Sequence, residues 1–208
     1  MKSLFNLALL TSIAAALSIT FINTSLIELA VPIALIILVF MSKNDHNSQM
    51  LTLCFAFVFV ITSVAMYVLD AVIKPAEPNV FYQNIYAFLI NLSLSLILLF
   101  LLKHRMTVAV LLTRGKSASV FEKNYAEGPL YLLVLFLVFV DLMALLENFI
   151  RNLEHIGVNE ETAKIFWEWT FFYDYFEYLK AVPIFLCVAL LYVGLIVRTR
   201  RQPIQSQP

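Results

Sequence analysis

The sequence predicts an all-α fold: a polytopic integral membrane protein, a six-transmembrane-helix bundle with N and C termini cytoplasmic. Three observations carry that expectation. Of 208 residues, 62% are hydrophobic and 13% charged, with a mean hydropathy of +0.87, against roughly 45–50% apolar and about 25% charged in soluble chains. The apolar residues gather in runs of bilayer-crossing length, and continuous rather than alternating apolarity suits helices, since lipid satisfies no backbone groups. The charges cancel overall but are segregated along the chain.

The six expected spans cover residues 4–22, 26–41, 50–73, 80–102, 130–150 and 173–197. The opening resembles a signal peptide, with Lys2, an apolar core and small residues Ala14 to Ala16. Another apolar run follows directly, so it is expected to remain as an uncleaved first span. In the second run, Ser25 suits an N-cap with Glu28 three residues into the helix, a capping box, and Pro32 falls early enough to be tolerated. The third follows a loop holding Lys43, Asp45 and His46, and ends with Asp70 at i,i+4 from Lys74, a spacing that pairs them on a wet helix end. The fourth places Tyr82, Gln83 and Asn84 at an interface and Asn91, Ser93 and Ser95 near its middle.

Residues 103–128 form a basic cytoplasmic loop. Its apolar centre, 106–112, suits an amphipathic segment in the headgroup region, with Lys103, Arg105, Arg114, Lys116 and Lys123 available to anionic lipid or to a cytosolic protein partner. Gly128-Pro129 punctuates the start of the fifth span. Beyond it, 151–172 is an acidic and aromatic outer loop with Glu154, His155, Glu160, Glu161 and Glu168. Residues 166–180, FWEWTFFYDYFEYLK, form an aromatic belt of the kind found at headgroup depth. Arg198, Arg200 and Arg201 stop the last span, and 202–208 are too polar to pack and are expected to be disordered.

Lysine and arginine set the orientation. Ten of the fourteen fall on the side of the termini, and four, Lys74, Arg151, Lys164 and Lys180, fall on the other. By the positive-inside rule the termini are cytoplasmic, in a cell inner (plasma) membrane. The outer face collects ten of the fourteen acids.

The fifth span carries the most informative residue. Asp141 lies about 17 Å in from Leu130 at ~1.5 Å per residue, near the middle of a ~30 Å hydrocarbon core. An aspartate at that depth costs about 3 kcal/mol, so it must face an interior or stay neutral by holding its proton. Depth counting brings Asn91, Thr62 and Ser63 to the same level, an intramembrane polar cluster with Asp141. Glu147 points about 120° away from Asp141 on the helix, and its depth matches Lys180. An outer-interface ion pair is expected from Glu147 with Lys180, or with Arg151 at i,i+4.

No GxSxG, HExxH, Walker or Rossmann pattern is present, and the three His residues, at 46, 104 and 155, are scattered. Cys54 and Cys187 lie in apolar runs without metal-ligand spacing. Neither a cofactor nor direct nucleic-acid binding is expected. Three function classes remain. The first is a non-enzymatic scaffold or sensor, expected to be a homo-oligomer, coupling an envelope or membrane signal to a cytosolic partner, as in the membrane component of a bacterial defence system. The second is a small ion channel or proton-coupled transporter using Asp141, and the third a membrane enzyme with an outer-face metal site.

Overall fold

A computed structural model describes residues 24–43, 45–113 and 124–201, and every regular element among them is helical. The elements are α1 (Thr24–Met41), α2 (His46–Ala76), α3 (Val80–Lys103), α4 (Arg105–Thr113), α5 (Glu127–Arg151), the short α6 (Glu160–Ala163) and α7 (Phe171–Asp174), and α8 (Phe176–Arg201). A π-turn, Leu69–Ile73, widens α2 near its end. Four helices, α2, α3, α5 and α8, are long and apolar enough to cross a membrane. The shortest of them, at 24 residues, extends about 36 Å at ~1.5 Å per residue, beyond the ~30 Å required.

Four of the six expected spans correspond to these helices. The apolar part of α1, Leu29–Met41, is a shorter helix, and residues 4–22 and 202–208 lie outside the described residues. α1 is already helical at Thr24, so Ser25 sits inside the helix instead of at the expected cap. The basic loop is in part the helix α4. Within 151–172 the chain makes a 3-10 turn, Leu153–Ile156, closed by Gly157 at φ 92, then α6 and α7.

The boundaries follow local chemistry. Asp45 caps α2 by accepting from the Asn47 N–H at 3.2 Å, and Asn79 caps α3 by accepting from the Phe81 N–H at 2.9 Å. α3 breaks at His104, whose ψ of 19 leaves the helical region. Pro183 lies within α8, where it supplies no N–H to the Leu179 carbonyl one turn back.

α2 and α5 begin, and α3 and α8 end, at one end of the bundle, which holds Lys43, Lys103, Arg105 and Arg198. The opposite end holds Glu154, Glu160, Glu161, Asp174 and Glu177. These are the basic end and the acidic end. Towards the basic end, Leu35, Leu51, Phe55, Leu98, Leu130, Val134 and Leu191 form one apolar cluster drawn from α1, α2, α3, α5 and α8. There α8 approaches the start of α5 so closely that a Cβ on Gly194 would lie 3.2 Å from Ala126 Cβ.

Polarity is arranged in the reverse of a soluble protein. Phe40, Phe57, Val64, Leu89, Phe100, Leu132 and Phe139 are exposed, whereas Asp45, Asn47, Asn91, Arg105, Asn124, Asp141 and Asn148 are buried. Water would penalise both halves of that arrangement, while hydrocarbon around the bundle favours both.

Candidate functional site

Asp141 is placed on the inward face of α5, with Leu137, Val140 and Ala144 around it on the same helix, and has no exposed surface. An isolated carboxylate there would be prohibitively expensive, and two helices supply what it needs. From α3, the Ser95 hydroxyl donates to Asp141 Oδ2 at 2.5 Å. From α8, Lys180 Nζ lies 2.8 Å from Asp141 Oδ1, an ion pair whose side chains are 13% and 0% exposed. That oxygen has charge contact with the ammonium but no aligned hydrogen bond.

Lys180 Nζ also donates to Asn91 Oδ1 at 2.7 Å. The Asn91 amide is fixed in turn by donating to the Ala87 carbonyl at 2.9 Å. Asn91 and Ser95 are one helical turn apart, so a single face of α3 reaches both members of the ion pair. An ammonium carries three donors; one is engaged by Asn91 Oδ1, Asp141 Oδ1 is in charge contact, and the Phe176 ring lies 5.1 Å from Nζ.

Lys180, Asn91 and Ser95 line a cavity of about 660 Å³ that reaches from the acidic end into the bundle. Its walls include Val58, Phe59, Phe88, Leu94 and Phe185, and Lys74, Asp174 and Glu177 lie at its exposed rim. Thr62 and Ser63 line the same cavity from α2, with their hydroxyls donating to the Val58 and Phe59 carbonyls at 2.9 and 3.1 Å. Of the four residues expected at mid-depth, Thr62, Ser63 and Asn91 line this space and Asp141 lies behind it. Asn91 and Asp141 meet through Lys180, and Thr62 and Ser63 bond their own helix.

Glu147 does not form the expected outer pair. Its two carboxylate oxygens accept from the Phe172 and Tyr173 N–H groups at 2.8 and 2.7 Å, at the start of α7. Free N–H groups at a helix start are a natural anion partner. Lys180 is turned inward to Asp141, and Arg151 stacks its guanidinium 4.6 Å from the Tyr173 ring centre. The depth count located the Cα of Lys180 but not the tip of its long stem, which carries the charge farther into the bundle.

A second buried polar group closes the basic end. Arg198 of α8 forks onto Asp45, with Nε to Oδ2 at 2.6 Å and Nη2 to Oδ1 at 3.1 Å, while Ser48 donates to Oδ2 at 2.6 Å. Burial would raise the Asp45 carboxyl, but bonds from Arg198, Ser48 and the Asn47 N–H hold it below its ordinary value. Arg105 donates to Asn47 Oδ1 at 2.7 Å and forms an ion pair with Glu127; Asn124 also donates to Asn47 Oδ1, at 3.2 Å.

Arg105 is thus corrected from an expected lipid or partner contact to a buried strut joining α4 to α2 and α5. Its burial lowers its affinity for a proton, and Glu127 acts against that shift. Lys103 is exposed at the end of α3. Arg114, Lys116 and Lys123 lie outside the described residues.

At the acidic end, Lys74 pairs with Asp70 at 2.6 Å and Lys164 with Glu160 at 2.9 Å. Glu154 accepts from the Trp167 indole at 3.3 Å, and His155 stacks on Phe81. Among the described residues, no three His, Cys, Asp or Glu side chains are arranged to hold a metal ion. No protein-family model, curated protein or solved structure matches the chain.

Proposed function

We propose that this chain is a membrane transport protein in which the Asp141–Lys180 pair couples movement of a small solute to movement of a proton. The observation that carries this reading is a buried opposite-charge pair between Asp141, at the middle of α5, and Lys180, reaching in from the first turns of α8, with the lysine forming part of the wall of a cavity of about 660 Å³. Intramembrane ionisable residues that face a polar interior mark ion and proton pathways. A pair held by one directional bond and one charge contact can exchange partners more readily than a fully bonded network.

In this reading the bundle sits in a cell inner membrane, with the basic end on the cytoplasmic side against anionic lipid and the cavity reached from the opposite side. The buried links among Asp45, Arg198, Asn47, Arg105 and Glu127 keep the basic end shut. The alternative of a scaffold engaging a cytosolic partner drew on five basic residues of one loop. It loses Arg105, which is committed to the interior. Homo-oligomerisation is compatible with either reading.

Proteoliposomes with a trapped pH dye test the reading. Under an imposed pH gradient, wild type and Asp141→Asn are compared with protein-free vesicles in the presence of small carboxylates, amines or sugars. One solute class should accelerate proton movement through wild type and not through the variant. No acceleration by any class, or equal acceleration in Asp141→Asn, overturns the proposal.

A further inference from the structure

Resting on that reading, the geometry points to the solute class: we infer that the cavity binds a small organic monoanion with an apolar body, and that its binding makes Asp141 take up one proton. The sign of the ligand follows from which charge the cavity presents. Lys180 lines the cavity, whereas Asp141 has no exposed surface and lies behind it. A solute inside the cavity therefore meets the ammonium first. A carboxylate or sulfonate there competes directly with Asp141 for Nζ, and the Asn91 side chain, already 2.7 Å from Nζ, marks where the ammonium is held during the exchange.

The remaining charges narrow the class. Asp174 and Glu177 stand at the rim, and Lys74 beside them is committed to Asp70. Two carboxylates at the mouth repel a dianion more strongly than a monoanion. Val58, Phe59, Phe88, Leu94 and Phe185 supply apolar and aromatic wall around the headgroup position, which suits a hydrocarbon or ring body rather than a heavily hydroxylated one.

Proton uptake follows from charge balance. Before binding, Lys180 carries one positive charge and Asp141 one negative. The incoming anion takes over the ammonium, leaving Asp141 at 0% exposure with Ser95 alone as donor. A carboxylate without a counter-charge does not persist in such surroundings. Asp141 gains an O–H bond to a proton that a buffer acid in the bulk solvent gives up, and the site ends as Lys180 ammonium, bound anion and neutral Asp141. One anion and one proton enter together, so no net charge is added. The charged groups around this exchange are Lys180 on α8, Asp174 and Glu177 at the rim, and Lys74 on α2.

The test is calorimetric titration of the purified full chain in detergent near pH 7 with benzoate, hexanoate and benzenesulfonate, and with benzamide as the uncharged counterpart. Repeating each titration in buffers of different ionisation enthalpy counts protons. Wild type should bind the anions, ignore benzamide, and take up about one proton per anion. Benzenesulfonate cannot itself carry the proton near pH 7, so uptake with it belongs to the protein. Lys180→Gln should weaken binding at least tenfold. Asp141→Asn should bind as tightly as wild type or more tightly, with proton uptake abolished, since its lysine has no competing carboxylate.

Asn91→Leu, which leaves both charges in place, should weaken anion binding without changing the proton count. Failure of all three anions to bind wild type, binding without proton uptake, or uptake that persists in Asp141→Asn overturns the inference. If amines or sugars drive Asp141-dependent proton movement in vesicles while these anions do not bind, the solute class is wrong and the transport reading stands. If no class drives it, the transport reading itself has failed.

Discussion

Replacing Lys180 by methionine isolates the energetics of the buried pair. The substitution keeps most of the stem and deletes the ammonium 2.8 Å from Asp141 Oδ1, leaving a carboxyl with no exposed surface and the Ser95 hydroxyl as its donor. Removing one member of a buried ion pair costs about 3–5 kcal/mol.

With ~2–4 °C of Tm per kcal/mol for a chain of this size, the deficit against wild type is about 6–20 °C. Thermal unfolding in detergent reads this directly. Adding Asp141→Leu to the variant should recover most of the loss, since an apolar replacement of a buried pair is often neutral or stabilising. A deficit under about 2 °C, or a double variant less stable than Lys180→Met alone, would refute the argument that Asp141 depends on Lys180.

Asp45 gives a pH-dependent prediction. Its carboxyl is held below its ordinary value of 3.8, so its contribution is fully present above that pH and disappears as acid titrates the folded protein. Below about pH 4, wild type should lose Tm more steeply than Asp45→Asn, and parallel curves would count against the Arg198 fork as the cause. Arg105→Ala strips donors from Asn47 and from a Glu127 side chain that is 37% exposed. A loss of about 2–3 kcal/mol in detergent unfolding is expected, whereas an arginine resting on lipid would leave detergent stability unchanged. Glu147→Gln keeps one acceptor oxygen and sets an NH2 donor against the other backbone N–H, which should cost about 1–3 kcal/mol and speed amide exchange at Phe172 and Tyr173. Unaltered exchange there would mean that Glu147 does not anchor α7.

The long helices were legible because the property that defines them, an unbroken apolar run of sufficient length, is local. The shared depth of Asn91 and Asp141, which Lys180 links, was also legible, since both positions follow from counting residues in from the helix ends. Ser95 carried a usable signal, one turn beyond Asn91 on the same face of α3. Lys180 was assigned to the wrong carboxylate because axial counting ignores a lysine stem. The Asp45–Arg198 and Arg105–Glu127 links join residues far apart in the chain, and no spacing rule connects them. Arg105 stood among exposed-looking basic residues, and only the elbow at His104 turns it inward.

The two ends of the bundle are held in different ways, and the difference is mechanical. At the basic end, buried charges and amides clamp α2, α4, α5 and α8 into a stem. At the acidic end, a cavity lies between α2 and α8, and the charge tie from α8 to α3 and α5 is the ammonium of Lys180, beside the edge contact of Phe176 with Phe88 and just before the backbone loses a rung at Pro183. The molecule resembles a tuning fork, gripped at its stem and pinned between its prongs. Whatever withdraws that pin removes the charge that holds the upper part of α8 to its neighbours, while the foot of the same helix stays gripped by Asp45.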